Sequence, residues 1–136
     1  MTRLPLVALA ACGLCVGALA QTAATRSPPT FTAEQAARGE TIYREQCEGC
    51  HGDKLDNGEF GVPLRGPVFA AHWHGKGLDA PFQVMFEQMP PTNPGGLGVD
   101  AYVDVLAFIL SRNDVAPSST PLPAEPAALG KLAAPG

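Results

Sequence analysis

The sequence predicts an all-α chain in which three main helices are joined by long loops. Three observations carry that expectation. Residues 33–46 are rich in Ala, Glu, Gln and Arg and follow a capping signal, with Thr32 as N-cap and Gln35 three residues on. Phe82, Met85, Phe86 and Met89 fall at i, i+3, i+4 and i+7. Tyr102, Val105, Leu106, Ile109 and Leu110 repeat the same period.

The first helix is expected over Ala33 to about Gln46, with Ala36, Gly39, Ile42 and Tyr43 as one narrow stripe. Residues 52–77 read as an irregular loop, with Gly52, Gly58, Gly61, Gly66, Gly75 and Gly77 interleaved with Pro63 and Pro67. So long a loop in a small domain needs something to organise it, such as a cofactor. The second helix is expected from Ala80 to about Gln88, capped by Asp79 and stopped by Pro90-Pro91. A turn-rich stretch through Pro94-Gly95-Gly96 leads to the third helix, Val99 to Leu110.

The ends of the chain differ from its middle. Residues 1–20 read as a signal peptide: a short basic start at Arg3, an apolar run, and Ala18-Leu19-Ala20 before Gln21. The apolar run is too short and wrongly flanked for a membrane span, so no transmembrane helix is expected in the mature chain. Leu9-Ala10-Ala11-Cys12 also matches a lipobox, which makes a lipid anchor at Cys12 the secondary alternative to periplasmic release. Residues 21–31, with Pro28-Pro29, read as a disordered lead-in, 32–113 as the folded domain, and 114–136 as a Pro/Ala-rich tail. The tail is too poor in core formers to fold alone, so it is either free or draped on the domain or a partner.

Among 136 residues, 15 are Gly and 14 Pro, which favours loops and extended tails. Nine basic residues against 13 acidic ones give a charge of −4, and loss of Arg3 with the leader makes it −5. No basic patch suits nucleic acid. No nucleophile–base pair or paired-carboxylate site is visible, so the chain is not read as an enzyme.

Two cysteines remain after the leader, and they lie in Cys47-Glu48-Gly49-Cys50-His51. A disulfide across two residues would constrain little. C-x-x-C-H is the attachment motif of c-type haem. Thiols at i and i+3 reach the two vinyl groups on one porphyrin edge, and the next residue, His51, then lies over the iron. The competing readings are half of a zinc site and a thiol redox pair. Zinc needs a second cluster, for which only His72 and His74 are available. The redox pair lacks its βαβ context. A sixth ligand would be Met89, beside the stiff Pro90-Pro91, with mid-helix Met85 as core filler. His72 or His74 would instead make the iron bis-His.

Gly39-x-x-x-Tyr43-x-x-x-Cys47-x-x-Cys50-His51, a later Met-Pro, and Ala107-Phe108-Ile109 in a C-terminal helix together resemble class I cytochrome c. The resemblance spans about Thr32 to Arg112. It implies one haem c, wrapped by helices and loops and bound through Cys47 and Cys50. It implies metal ligands His51 and Met89, and single-electron transfer as the role. It implies that the first and last helices cross at Gly39, with Tyr43, Val105 and Phe108 around the crossing. It further implies that the Pro63 carbonyl accepts the His51 Nδ1–H and that Trp73 bonds a haem propionate. Residues 89–97 and the 102–110 pattern look like the small periplasmic cytochromes that accompany quinoprotein (PQQ) dehydrogenases, as does Pro126 to Gly130 in the tail. Gly98 departs from the pattern, which usually has a Ser cap there. The implied partners are a quinoprotein dehydrogenase as donor and an oxidase or another cytochrome as acceptor. The alternatives are a subunit held permanently by a dehydrogenase or oxidase, and a haem-based gas sensor or peroxidase with a labile sixth position.

Overall fold

The structure is a computed structural model and describes residues 25–136. The expected leader, Cys12 and the first part of the lead-in lie outside the described residues. The described residues form six helices: α1 (Ala33–Gln46), α2 (Glu48–His51), α3 (Gly66–Trp73), α4 (Asp79–Gln88), α5 (Val99–Ser111) and α6 (Pro126–Leu129). No strand occurs among them; the extended pairing is two isolated bridges, Ser27 with Leu132 and Gly77 with Ala133. The fold class is all-α, as the periodicity predicts.

α1 begins on the expected reciprocal cap. Thr32 Oγ1 accepts from the Gln35 N–H at 3.2 Å, and the Thr32 N–H donates to Gln35 Oε1 at 3.1 Å. Its buried side packs on α5, which is buried along nearly its whole length from Tyr102 to Leu110. The two helices meet at Gly39, where a Cβ would lie 1.8 Å from the Asp104 carbonyl oxygen. Only glycine permits that approach. Tyr43 and Phe108 pack beside it, ring centroids 5.2 Å apart. Asp104 is buried at the same crossing and holds Arg38 by two bonds, Nε to Oδ2 at 2.7 Å and Nη2 to Oδ1 at 2.8 Å. Those paired bonds and the charge of Asp104 raise the Arg38 pKa further.

Three expectations change, and one open alternative is decided. Residues 66–73, read as loop, form α3, because Pro67 sits in the first turn, where its missing N–H costs nothing. Asp79 does not cap α4; Leu78 holds that position without a side-chain bond, and Asp79 lies in the first turn. The lead-in is ordered from residue 25: the Ser27 N–H donates to Lys131 O at 2.9 Å, and Phe31 is wholly buried. Of the tail's two alternatives, the draped one holds. Leu122, Leu129 and Ala134 are buried in the same core as Phe31, Leu78 and Leu106.

Gln35 joins the tail to α1. Its Nε2 donates to Leu122 O at 3.0 Å and its Oε1 accepts from the Leu122 N–H at 2.8 Å. Farther on, the Leu78 N–H donates to Leu132 O at 3.0 Å, and the Ala134 N–H to Lys76 O at 2.8 Å. The tail therefore completes a core that the helices alone leave open on one side. No described helix is long and apolar enough to cross a membrane.

Candidate haem site

Cys47 closes α1, and its N–H donates to Tyr43 O at 2.8 Å. The chain turns there into the single turn of α2, which carries Cys50 and His51. The Tyr43 hydroxyl donates to Gly52 O at 2.7 Å, so a buried residue of α1 braces the far end of the motif. Burial, and then the negative charge of Cys47, Glu48 and the nearby aspartates, push the Tyr43 pKa far above its ordinary value. Burial likewise pushes the Cys47 thiol up to about 11, with Cys50 adding to the shift. Cys50 is exposed.

His51 is buried, and its Nδ1 lies 2.8 Å from the Val62 carbonyl oxygen. A carbonyl can only accept, so Nδ1 carries the proton and Nε2 is left bare for a metal. The expected acceptor, the Pro63 carbonyl, is thus corrected by one residue. Pro63 acts on its neighbour: its ring excludes the helical region for Val62 and favours the extended backbone there. Gly61 makes the approach possible, since a Cβ there would lie 2.4 Å from His51 Nδ1.

A cavity of about 360 Å³ opens beside the motif. Cys47, Cys50 and His51 line it together with Trp73, Met85 and Met89. Val105, Leu106 and Ile109 of α5 and Phe69 of α3 make its apolar depth, and Pro90, Leu97 and the exposed Phe60 also border it. Met89 is the C-cap of α4, extended at φ −125°, ψ 147°. Met85, one turn earlier, packs against both apolar clusters of the core as well as lining the cavity. Trp73, expected in a loop, ends α3, with Lys76 Nζ 5.3 Å from its ring centroid.

The histidines beside Trp73 do not join the thiols. His72 Nδ1 lies 2.9 Å from Val68 O in its own helix, and neither His72 nor His74 lines the cavity. Among the described residues no cluster of three or more His, Cys, Asp or Glu could hold a metal ion. The donor set suits haem c instead: two thiols, an imidazole with a bare nitrogen, and thioethers on one apolar cavity.

Two residues not expected at the site support this wall. Asn113 Nδ2 donates to Leu64 O at 3.0 Å and to Ile109 O at 2.8 Å, while its Oδ1 accepts from the Gly66 N–H at 3.0 Å. It ties the loop after His51 to the end of α5. Tyr102, expected as core, also donates its hydroxyl to Met89 O at 2.5 Å. An Asn just past a helix is a weak signal for the first, and nothing local marks the second.

In comparisons with known proteins, no curated protein and no solved structure matched the chain. A family model did match, over residues 34–109, a span holding the whole C-x-x-C-H motif, Met89 and nearly all of α5. On that match and the site just described, the chain belongs to the family described as cytochrome C oxidase, cbb3-type, subunit III, and is a haem-based electron carrier of the c-type cytochromes.

Proposed function

We propose that this chain is a periplasmic monohaem cytochrome c that takes single electrons from a quinoprotein dehydrogenase and passes them to an oxidase or another cytochrome. The observation that carries the haem reading is the convergence of His51 and Met89 with Cys47 and Cys50 on one apolar cavity, while the dehydrogenase donor rests on the resemblance of residues 89–97 and 126–130 to cytochromes that accompany such enzymes. Haem c, when bound, supplies a one-electron iron couple. The chain's residues do the rest. Cys47 and Cys50 would anchor the haem covalently, and His51, with Nδ1 held by Val62, would present Nε2 to the iron. Met89 would supply a neutral thioether, which favours ferrous iron and would raise the potential. His51 and Met89 would together hold the iron from two sides, which suits electron transfer rather than substrate binding at the metal. Trp73 lines the same cavity and, as the family resemblance implies, would bond a haem propionate.

The ligand set is tested by optical spectra of the ferric holo-protein. Met89→Ala should abolish the weak far-red band of thioether-ligated haem and let carbon monoxide bind the ferrous form; Met85→Ala should keep the band. The reverse pattern would make Met85 the ligand. Changing Cys47 and Cys50 together to Ala should yield a chain without covalent haem. The donor is tested by stopped-flow reduction with a purified PQQ dehydrogenase, where no transfer would remove that partner.

A second reading has its own support. The family's description names an oxidase subunit, which favours a cytochrome held within an oxidase complex. Co-purification with oxidase subunits from solubilised membranes, rather than release with the periplasmic fraction, would select it.

A further inference from the structure

We propose that Tyr102 is a positioning residue for Met89, closing both ends of the loop that presents the sulfur; the inference rests on Met89 as the axial ligand. The loop is residues 89–98. Its internal bonds are turn bonds: Asn93 N–H to Pro90 O at 2.9 Å, Gly96 N–H to Asn93 O at 3.1 Å, and Gly98 N–H to Gly95 O at 3.4 Å. Pro90, Pro91 and Pro94 have no N–H to give. None of these bonds ties the start of the loop to its end.

Tyr102 does. Its backbone N–H donates to Gly98 O at 3.3 Å, where α5 begins, and its hydroxyl donates to Met89 O at 2.5 Å. Met89 has left the helical region, so its carbonyl has no partner within α4. Tyr102 fills that vacancy from a rigid base: it is 2% exposed, and Phe86 packs edge-on against it at 5.4 Å and 68°. The carbonyl and the thioether of Met89 share one Cα. Holding the carbonyl restricts where the sulfur can go, which is how a supporting bond tunes a metal ligand.

The tether exists only while the loop is closed, so its loss favours the open, Met-off form. A hydrogen bond of this kind changes that balance by about tenfold. An added ligand that binds the Met-off form then binds tighter by about the same factor. The probe is imidazole, titrated into the ferric holo-protein. Tyr102→Phe, which removes the hydroxyl and keeps the ring, should lower the imidazole Kd by about tenfold. Val103→Ala, also buried on α5 but away from the cavity, should lower global stability and leave that Kd unchanged.

Equal imidazole affinity in Tyr102→Phe and wild type would overturn the tether. So would an equal gain in Val103→Ala, which would mean general loosening. If Met89→Ala keeps the far-red band, the ligand reading falls and the tether with it. If Met89→Ala loses the band while Tyr102→Phe behaves as wild type, the tether alone falls. Should Tyr102→Phe fail to mature, NMR of the wild-type ferrous protein decides: a slowly exchanging Tyr102 hydroxyl proton with an Overhauser contact to Met89 Hα is expected, and a freely exchanging one overturns the proposal.

Discussion

Gly39→Ala adds one methyl where α1 and α5 touch. Its Cβ would lie 1.8 Å from Asp104 O, 2.4 Å from Asp104 C and 2.9 Å from Val105 N. All three are backbone atoms, so no side chain can swing aside. Reaching an ordinary contact of about 3.5 Å parts the helices by roughly 1.5 to 2 Å. A gap half that size already forfeits a quarter to a half of each dispersion contact, and here the Tyr43–Phe108 pair and the Arg38–Asp104 bonds both span the gap. Overpacking usually costs about 1–3 kcal/mol, and immovable backbone belongs at the upper end. Alanine returns about 1 kcal/mol through helix propensity. The net loss is about 2 kcal/mol or more. Gly49→Ala is the control: no atom lies within 4 Å of its Cβ, and its helical turn is exposed there. That change should be neutral or stabilising by up to about 1 kcal/mol. The assay is guanidinium unfolding of the holo-proteins followed by far-UV circular dichroism. Unfolding of Gly39→Ala at or above the wild-type midpoint, with an unchanged slope, would refute the reasoning.

Three more outcomes follow from other parts of the molecule. Leu129→Ala, at a wholly buried tail position, should cost about 2–5 kcal/mol in the same unfolding assay, whereas a free tail would make it silent. Tyr43 is buried as the neutral phenol, so its raised pKa contributes stability that is complete below the unfolded value of about 10 and is lost as pH rises beyond it. Tyr43→Phe should therefore cost about 1 kcal/mol at neutral pH, through the lost bond to Gly52, yet show a shallower decline in urea unfolding above pH ~10. Glu48, Asp53, Asp56 and Glu59 lie close in sequence to His51, and the exposed Phe60 and Val62 border the cavity beside them. Reduction by a quinoprotein dehydrogenase should slow as salt rises and when Glu48 or Asp56 is neutralised, by stopped flow; a rate indifferent to all of these would leave apolar docking alone.

Structure is most legible in a sequence where the governing physics is local. The capping box of α1 spans four residues, and the helical stripe of α5 repeats within two turns, so both are written in short stretches and reappear as expected. The C-x-x-C-H motif is equally local, since its chemistry depends on thiols three residues apart. A signal with two local meanings is less legible. Gly66-Pro67 looks like loop punctuation and is the first turn of α3. The family resemblance implies the Pro63 carbonyl as the acceptor for His51, but Pro63 instead constrains Val62, which is the acceptor.

Other features exist only once distant segments meet. Gln35 and Leu122 are 87 residues apart, Asn113 and Leu64 are 49 apart, and Tyr102 reaches back 13 residues to Met89. Each is a polar group satisfied by a backbone partner that no periodicity points to, because hydrogen bonds of this kind are chosen after the helices pack. Chain chemistry determined that a haem could be attached and that α1, α4 and α5 would form. Tertiary packing decided which carbonyl orients His51, what completes the core beyond Asn113, and what holds the Met89 loop closed. The difference is one of range: covalent spacing and helix propensity act over a turn or two, while burial makes its demand on whichever groups the fold brings together.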